Sequence, residues 1–135
     1  MKLQKFIKIG EREFKFNDQK DFSKLSGDCN PVHIDLVEAR KILGGQCIVH
    51  GINTFLWSLE CLLNFYGKLP LKFAIKFQKA INIEKKIICF WNKSEKIIKI
   101  ETLEKDLLFT LSYEKIEKEN IKKNNFKINK KNRIK

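Results

Sequence analysis

One segment constrains the fold more than any other: GINTFLWSLECLLNFYG, residues 51–67, in which apolar residues recur every three or four positions. This spacing predicts a helix. The apolar stripe is made of Ile52, Phe55, Leu56, Leu59, Leu62, Leu63 and Tyr66. Trp57, Cys61 and Phe65 widen the stripe until the helix is apolar nearly all round. Because a helix that is apolar nearly all round is unfavourable on a solvent-exposed surface, we expect other parts of the protein to enclose it.

The period of the apolar residues changes to two after this helix, which predicts β-strands. The run LKFAIKFQ, which begins at Leu71, alternates apolar residues with lysine, alanine and glutamine. Three further runs of strand composition follow, KKIICFW, KIIKIETL and DLLFTLSYEKI, and the turn segments NKSE and EKD separate them. One long helix followed by consecutive strands predicts an α+β fold in which an antiparallel sheet curls around the helix.

The part of the chain before this helix combines short strands with turn-forming residues. KFIKIG and REFKF alternate in polarity on either side of Gly10 and Glu11, which predicts an opening hairpin. Residues 26–31 are rich in Gly, Asp, Asn and Pro, and they predict a loop. IDLVEARKIL, residues 34–43, predicts a short helix that ends at the two following glycines, because glycine readily adopts the left-handed conformation of a helix end.

Length and charge indicate one domain followed by a basic tail. At 135 residues the chain is large enough for one core and too small for two. Residues 118–135 carry eight Lys or Arg against one Glu, so they account for +7 of the net charge of +12. We therefore expect a folded domain over residues 1–117 and a solvated Lys/Asn-rich tail over residues 118–135. Nucleic-acid binding through this tail is an alternative, although Lys and Asn are abundant throughout the chain.

The composition also bears on location. No window has the roughly 18 uncharged apolar residues that a membrane span requires, and charged residues interrupt the N-terminal segment MKLQKFIKIGEREF. We therefore expect a cytoplasmic protein with no membrane partner. The four cysteines, at positions 29, 47, 61 and 89, lack C-x-x-C spacing, which argues against a zinc or redox motif. We expect reduced thiols and no metal site.

The segment LSGDCNPVHIDLVEA contains the residues best suited to chemistry. Asp28 and His33 lie in one loop, so a tight turn can bring carboxylate and imidazole together for general acid-base catalysis. Gly27 leaves room for a close backbone approach, while Asn30 and Pro31 stiffen the turn. A purely structural interpretation stays open, in which Asp28 and Asn30 form an Asx-turn and a helix begins at Pro31 and His33.

A second segment, IVHGIN, places Gly51 at the start of the predicted apolar helix. Backbone N–H groups at a helix start have no partner within the helix, and the positive end of the helix dipole lies there. This end is therefore a candidate oxyanion hole for a carbonyl oxygen that gains negative charge. The structural alternative is that Gly51 permits a tight junction and that His50 only caps the helix or packs.

Together the two segments resemble a known family. FSKLSGDCNPVHIDLVEA, from Phe22 to Ala39, is similar to the signature of the MaoC-like (R)-specific enoyl-CoA hydratases, also called the hydratase 2 family. The aromatic residue and the Leu, Ser, Gly, Asp, Asn, Pro, His and Ala of that signature all fall in register. IVHG at 48–51 resembles the second block of the family at the expected distance, and LKFAIKFQKAI is loosely similar to its next strand.

The resemblance implies a hot-dog fold, in which an antiparallel sheet wraps around a long central helix and the protein usually works as a homodimer. It also implies that Asp28 and His33 are the catalytic pair and that the Gly51 N–H holds the thioester oxygen. The loop-shaping residues are then Ser26, Gly27, Asn30 and Pro31.

The resemblance further implies an enzyme, a hydro-lyase that hydrates trans-2-enoyl thioesters or dehydrates (R)-3-hydroxyacyl thioesters. Coenzyme A or an acyl carrier protein carries the substrate, and no separate cofactor is needed. Because Lys and Asn are abundant throughout the chain, we do not expect nucleic acid as a partner. Similar proteins often continue into a Pro and a Gly-Asp turn, whereas this chain has Ala80 and Glu84, which predicts different substrate-channel walls. The alternative is a catalytically weak hot-dog module that binds nucleic acid or a protein partner through its tail.

Overall fold

The computed structural model describes residues 5–41 and 45–116. The helices are α1 (Phe16–Ser26), α2 (Pro31–Ile34), α3 (Leu36–Ala39) and α4 (Gly51–Tyr66). The strands are β1 (Ile7–Glu13), β2 (Phe73–Phe77), β3 (Lys86–Asn92), β4 (Ile97–Thr102) and β5 (Leu107–Tyr113). The predicted α+β class is confirmed, as are the long helix and the strands that follow it. The tail at residues 118–135 lies outside the described residues, so the domain boundary stays a prediction.

The described strands form one antiparallel sheet in the order β1-β3-β4-β5-β2. Short turns join β3 to β4 and β4 to β5, as the turn segments predict. β2 is the first strand after α4, yet it pairs with the last strand, β5, and forms one edge of the sheet. Phe77 at the end of β2 lies against Gly51 at the start of α4, so the β2 edge and the start of the helix meet.

Helix α4 buries one face in the hydrophobic core. Trp57, Cys61 and Leu62 are buried there, in a core that includes Ile98 and Ile100 of β4. The outward face of the helix carries Ile52, Leu56 and Leu63, which are 45–55% exposed. The expectation that other structure encloses α4 is therefore wrong for the described residues, because the sheet covers only one side of the helix.

The predicted hairpin at Gly10 and Glu11 is also wrong. Ile7–Glu13 is the single strand β1, which pairs with β3, and the register of the pairing shifts at Gly10. A Cβ atom at Gly10 would lie only 2.5 Å from the Sγ atom of Cys61 in α4. Glycine is needed here because the helix approaches the strand closely, and not because the chain turns.

Helix α1 follows β1 and is not predicted by the periodicity of the sequence. Its buried residues are Gln19, Phe22 and Ser23, and two of these are polar. The helix therefore lacks the apolar stripe that reveals α4, although its buried face supplies several contacts to the site described below.

The predicted helix over residues 34–43 is interrupted at Asp35. The backbone of Asp35 is extended, which ends α2, and its side chain accepts the N–H groups of Val37 and Glu38, which caps α3. α3 ends at Ala39, with Arg40 at its C-cap, so the predicted helix end at Gly44 and Gly45 is wrong. Residues 42–44 lie outside the described residues. Gly45 has a left-handed φ of 66°.

Two features of the structure relate to the expected cytoplasmic location, namely the state of the cysteines and the length of the helices. Cys29 is exposed, whereas Cys47, Cys61 and Cys89 are buried, and all four are free thiols in the structure. None of the helices within residues 5–41 and 45–116 is long and apolar enough to cross a membrane.

Candidate active site

Side chains of the loop between α1 and α2 bind the backbone of the same loop. The Ser26 hydroxyl donates to the Phe22 carbonyl (2.7 Å) and accepts the N–H of Asp28 (3.1 Å). Oδ1 of Asp28 accepts the N–H of Asn30 (3.2 Å), and Oδ1 of Asn30 accepts the N–H of Val32 (3.1 Å). The backbone is therefore held on both sides of the Asp28 carboxylate.

Gly27, Asn30 and Pro31 set the direction of the backbone. Gly27 ends α1 with a φ of 80° and donates its N–H to the Ser23 carbonyl (2.9 Å). A Cβ atom at Gly27 would meet no described atom within 4 Å, so within the described residues the left-handed φ accounts for the glycine, and the expected close backbone approach stays a prediction. Asn30 caps α2 and Pro31 is its first residue. These residues thus have the structural roles of the alternative interpretation, a turn and a helix start, and these roles are compatible with a functional Asp28–His33 pair.

The fold brings Asp28 and His33 together, with Oδ2 of the carboxylate 3.7 Å from Nε2 of the imidazole. Nδ1 of His33 lies 2.6 Å from the Ile48 carbonyl oxygen, and a carbonyl can only accept, so Nδ1 carries the proton. In the neutral ring, Nε2 then has a lone pair that faces the carboxylate. The Asp28 side chain is 51% exposed and that of His33 is 13% exposed. Two hydrogen-bond acceptors therefore stand side by side where solvent can reach them.

Gln19 fixes the backbone that carries His33. This residue of α1 is fully buried, and its Nε2 donates to the carbonyl oxygens of His33 and Ile48, both at 2.8 Å. The Ile48 oxygen thus accepts bonds from Gln19 and from the His33 ring. Sequence reasoning missed Gln19, because a glutamine within a polar segment carries no signal that it is buried.

His33 and Gly51 line one cleft of about 280 Å³, whose walls include residues 77–81 at and beyond the end of β2. The Gly51 N–H makes no hydrogen bond to any described residue, and it opens the 16-residue helix α4. Ring atoms of Phe77 lie 3.1–3.2 Å from the position that a Cβ at Gly51 would take. Ala80 is part of the wall. A ligand in this cleft can therefore contact both His33 and Gly51.

The side chains of Asp28, His33 and His50 each offer an atom within 4.8 Å of the others, a spacing compatible with a metal ion. The two imidazole rings are stacked, with centroids 4.0 Å apart and planes inclined by 25°. An imidazole binds a metal in the plane of its ring, so two nearly parallel rings do not aim their lone pairs at one point between them. This geometry favours a hydrogen-bonded group over a metal centre, and a site without metal stays a prediction.

No family model matches the chain, and no curated protein sequence matches it. Solved structures do match. An unliganded (R)-hydratase from Pseudomonas aeruginosa is 14% identical, with 87% of this chain and 85% of that chain covered and a TM-score of 0.66. A MaoC-like dehydratase from Rhodospirillum rubrum is 12% identical over 83% of this chain and 89% of that chain, with a TM-score of 0.62. The C-terminally truncated HadBC 3R-hydroxyacyl-ACP dehydratase complex from Mycobacterium tuberculosis is 9% identical over 80% and 93%, with a TM-score of 0.61.

Identities this low show the shared fold and assign no catalytic residue. The catalytic roles of Asp28 and His33 and the oxyanion role of Gly51 therefore stay predictions, although the structure brings the first two side chains together and places Gly51 in the same cleft as His33. The similarity spans the antiparallel sheet and the long helix packed against it, in agreement with the expected architecture. The chain has the hot-dog fold.

Proposed function

We propose that this protein adds water to trans-2-enoyl thioesters and, in reverse, dehydrates (R)-3-hydroxyacyl thioesters. The observation that carries the proposal is the pair of acceptor atoms, Oδ2 of Asp28 and Nε2 of His33, 3.7 Å apart beside the cleft that contains Gly51. Structural similarity to an (R)-hydratase and to a 3R-hydroxyacyl-ACP dehydratase supports it.

The acceptor pair determines how a water molecule would be oriented. Both Asp28 Oδ2 and the lone pair of His33 Nε2 accept hydrogen bonds, so a water held by both donates its two hydrogens to them. The lone pairs of that water then point away from the pair, toward a substrate. Asp28 acts as the base that activates the water, while His33 positions it and shares in the proton transfer.

The Gly51 N–H binds the thioester carbonyl oxygen, at the opposite end of the conjugated group from the β-carbon that the water attacks. As the water oxygen forms a bond to the β-carbon, the electrons of the alkene move toward the thioester carbonyl and place negative charge on its oxygen. An N–H at the start of α4, supported by the helix dipole, stabilises that charge. The charge is absent in the ground state, so this interaction lowers the barrier more than it strengthens substrate binding.

The protons balance within the acid-base pair. One proton leaves the water for Asp28, and the pair delivers one proton to the α-carbon from the same face, so that one water is added and the pair returns to its initial state. Dehydration uses the same steps in reverse order. Coenzyme A or an acyl carrier protein is the carrier that we propose, and this chemistry needs no further cofactor. The free thiols fit the reducing, cytoplasmic compartment that we propose.

The test is the loss of the near-ultraviolet absorbance of crotonyl-CoA, whose conjugated enoyl thioester disappears on hydration. We expect turnover by the wild type and a decrease of kcat by about 10²–10⁴-fold in Asp28→Asn and His33→Ala. Asp21→Asn, at an exposed position of α1, is the matched control and should keep full activity. Unchanged turnover in both site variants would refute the assignment of the pair.

We further propose that the protein works as a homodimer joined along β2. This strand forms one edge of the sheet, and its Phe73, Ile75 and Phe77 are 37–47% exposed. Ile52 and Leu56 on the outward face of α4 are 55% and 46% exposed. An edge that pairs with no other described strand, next to large exposed apolar side chains, favours association. Antiparallel pairing of two β2 strands would satisfy the edge and cover these side chains.

Sedimentation of the protein at micromolar concentration tests the dimer. We expect the mass of two chains for the wild type and the mass of one chain for Ile75→Lys, which places a charge among the apolar residues of β2. Lys76→Gln alters the other face of the same strand and should leave the dimer intact. A wild-type protein that sediments as a single chain contradicts the proposal.

A further inference from the structure

His50 connects the parts of the proposed site to one another. It is 1% exposed, and it immediately precedes α4, so the peptide bond between His50 and Gly51 contains the N–H proposed to bind the thioester oxygen. The His50 side chain makes no capping bond to α4 and instead contacts the loop that carries Asp28. Capping is therefore not the role of this side chain.

Hydrogen bonding determines which nitrogen of His50 carries the proton. Nε2 lies 3.1 Å from the carbonyl oxygen of Asp28 and 3.2 Å from Oγ of Ser23. Because the carbonyl can only accept, Nε2 is the donor. Nδ1 is buried and has no hydrogen-bond partner among the described residues, so a second proton there would be unpaired. Burial lowers the pKa of His50, although the bond to Asp28 opposes this effect, and the ring stays neutral near pH 7.

Two aromatic rings contact the ring of His50. One face stacks on His33 at 4.0 Å, while Phe22 of α1 meets the ring with a centroid distance of 4.9 Å and an interplanar angle of 61°. The hydrogen bond to Ile48 anchors the Nδ1 side of the His33 ring, and the stack restrains the tilt that this bond leaves open. The stack with His50 thus contributes, together with the bond to Ile48, to the orientation of the His33 ring.

We propose that His50 is a positioning residue of this site: its Nε2–H holds the backbone of Asp28, and its ring supports the face of His33. The acid-base pair then keeps a fixed position relative to the Gly51 N–H. His50 does not line the cleft, so it acts through its neighbours and does not touch the substrate. The effect of His50 on kcat rests on the proposed function, whereas its contacts with Asp28 and His33 do not.

Two substitutions separate positioning from packing. His50→Phe keeps an aromatic ring but leaves the Asp28 carbonyl without its donor, and His50→Gln keeps a donor of similar reach but loses the ring. Positioning through Nε2–H predicts that kcat falls by about tenfold or more in His50→Phe, with KM changed by less than about threefold, and that His50→Gln recovers part of the loss. Packing alone predicts the opposite order, because phenylalanine fills a buried site better than glutamine. That order, with both variants folded, would overturn the positioning of Asp28 through the Nε2–H of His50 and leave only the ring contact with His33.

A second readout does not depend on activity. The chain has only two histidines, so a long-range ¹⁵N–¹H correlation spectrum of untagged protein contains ring signals from His33 and His50 alone. We expect opposite tautomers, Nδ1–H for His33 and Nε2–H for His50, and faster exchange of the Asp28 and Asn30 amides in His50→Phe than in His50→Gln. A His50 ring protonated at Nδ1, or averaged between tautomers, would overturn the role of His50. A protein that hydrates no enoyl thioester but shows these tautomers refutes the proposed function and keeps the geometric role.

Discussion

Replacing Gly51 by proline removes one backbone N–H and leaves the helix that follows it in place. Gly51 is the first residue of α4, where the N–H has no partner within the helix and where proline is common. His50 has a φ of −56° and a ψ of 128°, in the region that the residue before a proline favours. We therefore expect Gly51→Pro to fold, with the candidate oxyanion donor as its main loss.

Gly51→Ala is the matched control, because alanine keeps the N–H. Both variants place a Cβ atom 3.1 Å and 3.2 Å from ring atoms of Phe77, so this contact cancels when the two are compared. Loss of one oxyanion-hole donor typically lowers kcat by about 10²–10³-fold. Since the α4 dipole stays, we expect the lower end of that range, about 100-fold between the two variants, or about 2.7 kcal/mol of transition-state stabilisation.

The assay is steady-state hydration of crotonyl-CoA, with thermal unfolding of each variant to check the fold. KM should be nearly equal in the two variants, because the N–H binds the charged transition state more strongly than the neutral carbonyl. A folded Gly51→Pro variant whose kcat is within about threefold of Gly51→Ala would refute the oxyanion role of Gly51.

Three other perturbations test separate parts of the account. Phe77 lines the cleft, so Phe77→Ala should shift the ratio of kcat/KM for hexenoyl-CoA over crotonyl-CoA upward by about tenfold, and an unchanged ratio would remove this ring from the acyl site. A Cβ at Gly10 would lie 2.5 Å from Cys61 Sγ, so Gly10→Ala should destabilise the fold by about 1–3 kcal/mol in urea unfolding, and Cys61→Ala should cost less in that background than in the wild type. The titratable groups that face His50 are His33 and Asp28, and burial lowers the pKa of His50. Below about pH 6.5, the ordinary pKa of histidine, His50 of the unfolded chain therefore binds a proton that the folded chain excludes. The stability that depends on the neutral His50 ring is fully present above that pH and is lost as the pH falls. The free energy of unfolding should fall less steeply below about pH 6.5 in His50→Gln than in the wild type, and equal slopes would contradict this.

Strong local periodicity made the central elements predictable. α4 and the strands after it carry apolar residues at helical or alternating spacing, and the sequence reveals both. The interpretation of Gly10 failed because glycine suits both a turn and a close contact, and its partners, Cys61 in α4 and Cys89 in β3, are distant in sequence. The exposed face of α4 was also unpredictable, because an apolar pattern does not say which molecule covers it.

The candidate site was predictable where it depends on side-chain identity and unpredictable where it depends on the backbone. Asp28 and His33 form a recognisable pair, and the structure brings them together. The acceptors that fix this pair are carbonyl oxygens, such as that of Ile48, and the sequence does not indicate which main-chain atoms become acceptors. For the same reason the donors that bind them, Gln19 and His50, become visible only in the folded chain.

The most direct test of the central claim is the stereochemistry of hydration in deuterated water. After incubation with crotonyl-CoA, chiral chromatography of the released acid identifies the enantiomer at C3, and NMR locates the deuterium at C2. Because Asp28 and His33 act from one face, we expect hydroxyl and deuterium to be added to the same face of the double bond. The proposed (R) specificity predicts only the (R) product, and Asp28→Asn should form it at least about 100-fold more slowly. A racemic or (S) product, or addition to opposite faces, would contradict the central claim.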